Sequence, residues 1–285
     1  KILMKKIIAL AVATAISAPA MADLTIGGSA RYQIDNGAGV DTSASTNRVL
    51  VSVSGSTTAE SGLFVSAGAT LQIAADDAAN NATTDGDNNI VVGNPMANVA
   101  LGYTETAGVY SNGADQFKVG PAAQSRVLGR HSDTVVLNVT AVEGLTAQVA
   151  GYLTDDSTRV VLGYDFGGVS VAVGMDQASD AAKAAGSEDA LQLKVATSVA
   201  GAGVTLSYAD QDDTDSQFVN LGVTYMGVGV NYQTSEVGAA DSVDSLYGSY
   251  SLANAGGLEG LTVTVGAGSS DNVDSNYGVR LDYAF

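Results

Sequence analysis

A chain of 285 residues holds one or two domains, and twelve basic against thirty acidic side chains leave it at −18, which excludes a basic nucleic-acid binder. Hydrophobic residues make up 46% of the chain, yet it has five Phe, no Trp and three Pro beside 34 Gly and 12 Tyr. That is a poor recipe for an aromatic-filled soluble core, and the lack of polar low-complexity tracts argues equally against disorder. With no cysteine, a disulfide scaffold, a Cys-ligated zinc site and a thiol nucleophile are excluded too.

The first segment has the grammar of an export signal. Lys5 and Lys6 precede an apolar run from Ile7 to Ile16, then Ser17, Ala18, Pro19 and the small-residue site Ala20-Met21-Ala22. Cleavage is expected after Ala22, with Met4 as the natural start. A membrane anchor is the competing reading, but the run is shorter than the ~20 residues a spanning helix requires. Residues 1–22 are thus expected as a cleaved signal peptide and 23–285 as a single domain. Removal of Lys1, Lys5 and Lys6 leaves nine basic against thirty acidic groups, a net of −21.

Period-two alternation runs through the remaining chain. From Leu24 to Ile34 one face reads Leu24, Ile26, Gly28, Ala30, Tyr32, Ile34 and the other Thr25, Gly27, Ser29, Arg31, Gln33. The same split recurs with Leu145, Ala147 and Val149 against Thr146 and Gln148, and with Leu191, Leu193 and Val195 against Gln192 and Lys194. It recurs again with Val219, Leu221, Val223 and Tyr225 against Asn220 and Thr224, and finally with Tyr277, Val279, Leu281, Tyr283 and Phe285 against Gly278, Arg280 and Asp282. Tight links such as Glu143-Gly144, Gly167-Gly168, Ala200 to Ala202 and Met226-Gly227 alternate with eight longer stretches rich in Asp, Asn, Ser and Ala. The longest of these runs from Glu105 to about Arg130. A short helical turn is expected near Ala178 to Ala185.

Eight long and seven short links imply sixteen antiparallel strands. An even number with short turns on one side and long loops on the other is the pattern of an outer-membrane barrel, and strands of ~10 residues leave enough chain for the links. The fold class expected is all-β, a 16-stranded transmembrane barrel. Nine tyrosines, Tyr32, Tyr103, Tyr164, Tyr208, Tyr225, Tyr232, Tyr250, Tyr277 and Tyr283, fall in register with the apolar face, mostly near strand ends. That suits an interfacial aromatic girdle, with ring buried and hydroxyl wet. Arg31, Arg48, Arg159, Lys194 and Arg280 all fall on the polar face, beside Asp282. An aqueous lumen explains the split, since a charge facing the bilayer midplane would cost roughly 2 to 4 kcal/mol. A barrel of sixteen strands leaves that lumen open, so diffusion through a channel is the expected activity.

Three segments resemble the general Gram-negative porins, in particular the compact porins of the Rhodobacter type: the stretch from Arg48 to Leu63, RVLVSVSGSTTAESGL; the N-terminal LTIGGSARYQI; and the C-terminal YGVRLDYAF. The resemblance implies an outer-membrane homotrimer among lipid and lipopolysaccharide, passing small hydrophilic solutes and ions, with Phe285 as the signal read by the assembly machinery. It implies that the third long loop folds into each lumen as a constriction facing basic wall residues. Arg31 and Arg48 are the wall candidates, and Glu105 and Asp115 the loop carboxylates. The loop also carries Lys118, Arg126 and Arg130 and is net positive, which departs from the family's acidic-loop pattern.

Aspartates gather in the other long loops: Asp76, Asp77, Asp85, Asp87, Asp155, Asp156, Asp210, Asp212, Asp213, Asp215, Asp271 and Asp274. Such an outer ring attracts cations over roughly a Debye length, about 8 Å at physiological salt. The run of Asp210, Asp212, Asp213 and Asp215 offers hard oxygen ligands for Ca²⁺, but it lacks the glycine and terminal Glu of an EF-hand loop and reads equally as a solvated charge run. No cofactor is required. His131, Ser132 and Asp133 are consecutive and cannot form a relayed triad, so no enzyme is expected. The alternative to a channel is a secreted, Asp/Gly-rich β-structured adhesin or surface-layer protein.

Overall fold

The computed structural model describes residues 23–36, 44–74, 88–106, 109–110, 130–154, 156–184, 189–212, 215–271 and 273–285. The expected signal peptide, residues 1–22, lies outside them. The strands are β1 (Asp23–Asp35), β2 (Ala44–Thr58), β3 (Phe64–Ala74), β4 (Asn88–Asn94), β5 (Ala97–Glu105), β6 (Arg130–Val139), β7 (Leu145–Tyr152) and β8 (Thr158–Asp165). They continue as β9 (Val169–Gln177), β10 (Ala190–Val199), β11 (Ala202–Gln211), β12 (Ser216–Tyr225), β13 (Val228–Val237), β14 (Val243–Ala253), β15 (Leu261–Ser270) and β16 (Val273–Ala284). One helical turn, α1 (Asp180–Ala184), sits between β9 and β10.

Each strand pairs antiparallel with its neighbours in sequence, and β1 pairs with β16, which closes the sheet into a sixteen-stranded barrel. Closure removes every free edge, the condition for burying a sheet in lipid. The links alternate short and long as expected. Ala200-Gly201 (φ 52° and 81°) and Met226-Gly227 (φ 47° and 84°) are two-residue turns with both residues left-handed, the geometry that matches the twist of a hairpin.

Alternation then sorts the side chains by surface. Along β12, Ser216, Phe218 and Asn220 are buried while Val219, Leu221 and Val223 are exposed; along β13, Asn231, Gln233 and Ser235 are buried while Val228, Val230 and Tyr232 are exposed. Amides, hydroxyls and small residues face inward, and the large aliphatics face out. A water-soluble protein does not expose a continuous belt of Leu and Val; on a closed barrel the belt is the lipid-facing band. Among the described residues no helix is long and apolar enough to cross a membrane.

The C-terminus completes the seam. Gly28 and Phe285 exchange backbone hydrogen bonds, N–H to O at 3.0 and 3.1 Å in the two directions. The Phe285 ring lies over Gly28, where a β-carbon would come within 2.6 Å of the ring's Cζ.

Candidate functional site

The inner wall is built from residues of one parity on each strand, so strand register decides which charges meet. On β1, Arg31 stands opposite Arg48 of β2 and opposite Asp282 of β16. Arg31 Nε donates to Asp282 Oδ1 at 2.6 Å and Arg280 Nε donates to Asp282 Oδ2 at 2.6 Å. One carboxylate is therefore shared between two guanidinium groups, with a third guanidinium, that of Arg48, in the facing register position. Register thus gathers Arg31, Arg48 and Arg280 with Asp282 at neighbouring inward positions of β1, β2 and β16.

A second constellation lies across the barrel on β8, β9 and β10. Arg159 holds Asp176 through two nitrogens, Nε to Oδ1 and Nη2 to Oδ2 at 2.8 Å, and both residues are almost fully buried. Gln192 Nε2 donates to the same Asp176 Oδ2 at 2.7 Å. The chain leaving β5 comes down onto this group. Arg159 Nη1 donates to Thr106 Oγ1 at 3.1 Å, and the backbone N–H groups of Val109 and Tyr110 both donate to Gln192 Oε1, at 3.1 and 2.8 Å. The Tyr110 ring meets Phe218 edge-on at 6.4 Å. Just upstream the β5–β6 ladder is irregular between Gly102 (φ 124°) and Thr104, a bulge that re-aims a strand as bulges do at barrel rims. At Thr106, Val109 and Tyr110 the segment after β5 thus lies inside the lumen along the wall of β8 to β10.

Of the residues expected in the long loop, Glu105 and Arg130 are instead the last residue of β5 and the first of β6, paired in register at the loop's root. Their side chains, and the whole of Asp115, Lys118 and Arg126, lie outside the described residues. Lys194 falls on the inward parity of β10 beside Gln192. Arg159, expected simply as wall charge, is neutralised by Asp176 and sealed from solvent.

Tyr32, Tyr164, Tyr225, Tyr232, Tyr250, Tyr277 and Tyr283 are exposed on the outer face, and Tyr103 and Tyr208 are half-exposed on the same parity. Tyr110, Tyr152 and Tyr247 point inward. Asp210, expected in a long loop, is instead a strand residue of β11 paired with Leu191 and Gln217, and it accepts a hydrogen bond from the Tyr208 hydroxyl at 3.0 Å. Asp213 lies outside the described residues, and among those described no three acidic or imidazole groups are gathered to hold a metal ion.

Asp176, Gln192 and Thr106 were not singled out by sequence. A signal for the first existed: the β8–β9 hairpin is centred on Gly167-Gly168, and counting back equally from that turn sets Asp176 opposite Arg159.

A closed barrel that is apolar outside, polar inside and partly lined by its own chain defines a class, the outer-membrane channels. The family description "Gram-negative porin" matches residues 9–285. The chain belongs to that family, and it is an outer-membrane channel rather than an enzyme or an adhesin. The solved structures it resembles include three mutants of the porin of Rhodopseudomonas blastica, at 14%, 15% and 15% identity and TM-scores of 0.72, 0.73 and 0.72. Each alignment covers 92% of this chain and 100% of the other. No curated protein sequence matches.

Proposed function

We propose that the protein is a passive diffusion porin for small hydrophilic solutes and ions, exported by a signal peptide and assembled as a homotrimer among outer-membrane lipid and lipopolysaccharide, with Phe285 as the residue the assembly machinery reads. The observation that supports this most is the inverted distribution of polarity: buried amides and hydroxyls within, exposed Leu, Val and Tyr without. The trimer rests on family membership.

In this reading Arg31 and Arg280 at Asp282, with Arg48 in the adjoining register position, favour anions at the waist, and Lys194 adds to them from the far side. The aspartate-rich outer loops act separately, drawing cations to the mouth. Water-excluded walls of low dielectric focus such fields on the pore axis. The channel requires no cofactor; Ca²⁺ at the Asp210 to Asp215 loop would stabilise the mouth only.

The test is single-channel recording in planar bilayers with a salt gradient, in EDTA and then in added Ca²⁺. Stepwise conductance with a reversal potential on the anion side supports the reading, and a cation-side potential would remove the wall patch from the waist. Conductance and thermal stability unmoved by EDTA and Ca²⁺ would dismiss the ion.

A further inference from the structure

Arg159, Asp176 and Gln192 come from three adjacent strands, and their inward faces form one hydrogen-bonded unit. Arg159 grips Asp176 with two of its nitrogens, and Asp176 Oδ2 also accepts from Gln192 Nε2 at 2.7 Å. That last bond fixes the side-chain amide. With Nε2 committed to the carboxylate, Oε1 must face the lumen, where it takes the N–H groups of both Val109 and Tyr110. An amide turned the other way would present a donor to two donors.

The wall is also shaped for this segment. Gly174, opposite Gln192 across the β9–β10 ladder, has no side chain, and the vacant position is filled by Val109: a β-carbon on Gly174 would lie 2.9 Å from Val109 Cγ2. Val109, Thr106, Arg159, Asp176 and Gln192 are each at least nine-tenths buried.

We infer that Arg159, Asp176 and Gln192 form a clamp that pins the chain leaving β5, at Thr106, Val109 and Tyr110, to the lumen wall, so that Arg159 is a positioning residue and not one of the charges that select ions. This rests on the channel reading and deepens it: the clamp fixes the geometry of the waist, while the patch on β1, β2 and β16 supplies the charge. Removing Arg159 or Asp176 alone would leave a buried charge without its partner and destabilise the wall itself. Gln192 is neutral, so its loss tests the clamp without that complication.

The test exploits a chain that has no cysteine. The β-carbon built on Gly174 would lie 3.4 Å from Val109 Cβ, next to the ~3.5–4.5 Å range of disulfides. Val109→Cys with Gly174→Cys is expected to cross-link under mild oxidation in the folded barrel, as read by mass spectrometry. Gln192→Leu is expected to raise open-channel noise and shift the conductance step, with the reversal potential unchanged. Adding the oxidised cross-link to Gln192→Leu is expected to restore the parent trace until reductant is supplied.

A cysteine pair that stays reduced in the folded protein overturns the clamp. So do Gln192→Leu traces that superimpose on the parent's. If Gln192→Leu does not fold, judged by heat-modifiable mobility in SDS gels, the cross-link decides alone. A parent barrel that inserts but passes no current would sink the channel reading and leave the cross-link to decide the clamp.

Discussion

Asp282 is the residue on which the wall patch turns. It accepts from Arg31 on β1 and from Arg280 on its own strand, both at 2.6 Å, so it screens two guanidinium groups at once. Two substitutions should move selectivity in opposite directions. Arg48→Ala removes a positive charge from the lumen and shifts the cation-to-anion permeability ratio toward cations; Asp282→Asn leaves the arginines less screened and shifts it toward anions. Reversal potentials in a salt gradient read both, and shifts of the same sign would show that the patch does not face the conducting path.

A second residue-scale prediction concerns pH. Lys183 on α1 donates to Asp189 Oδ2 at 2.7 Å and the Ala178 N–H donates to Oδ1 at 2.7 Å. The Lys183 ammonium holds the Asp189 carboxyl below the usual carboxylate range. A lowered folded pKa means stability that is present above the unfolded value of ~3.9 and lost as pH falls through the folded one. The protection of the Ala178 and Ala182 amides, their exchange rate relative to the intrinsic rate at the same pH, should therefore fall in acid. Lys183→Met should move that loss of protection to higher pH; the same protection profile in the variant would contradict the assignment.

At the scale of elements, the hairpins were legible and the long-range contacts were not. Alternation and the Gly-centred turns carry strand number and parity, and counting from Gly167-Gly168 would also have set Arg159 opposite Asp176, a pairing that the sequence expectations did not include. The seam was closed to such counting. Arg31 and Asp282 are 251 residues apart, and no local turn fixes their register. The route of Thr106, Val109 and Tyr110 was hidden for a different reason: a segment that follows the lumen wall has neither strand nor helix period. Glu105 and Arg130 looked like loop residues because a charged strand end and a loop have the same composition.

The seam itself gives an element-scale prediction. A β-carbon on Gly28 would lie 2.3 Å from the Leu50 backbone oxygen and 2.6 Å from the Phe285 ring, so Gly28→Val should overpack β1 against both β2 and the C-terminus and cost about 1–3 kcal/mol or more. It should lower the temperature at which the barrel loses its heat-modifiable gel mobility. Phe285→Ala in the same variant, which keeps the two backbone hydrogen bonds to Gly28, should recover the part of that loss due to the ring and leave the part due to Leu50 O. No recovery would mean that the ring is not what the added methyl groups meet.

For the whole molecule, the sign of each surface is the point. Mean hydropathy is positive, +0.17, although the chain carries −18, and the two properties occupy different places: apolar side chains on the outer belt, amides and arginines within, aspartates mainly in the long loops. Leu193 and Lys194 show how sharply position decides, since Leu193 is exposed on the outer face and Lys194 has the inward parity. Exchanging them, Leu193→Lys with Lys194→Leu, keeps composition and net charge and turns one charge from lumen to lipid. Near mid-strand this should cost roughly 2–4 kcal/mol in folding into bilayers. Equal stability would mean that the outer face does not contact lipid.

The central claim is that sixteen strands enclose a continuous aqueous path. The measurement that tests it most directly is current across a planar bilayer as purified, folded protein is added. The account predicts discrete, ohmic conductance steps from protein whose SDS-gel mobility shifts on heating. Heat-modifiable barrels that enter the bilayer and give no steps would contradict it.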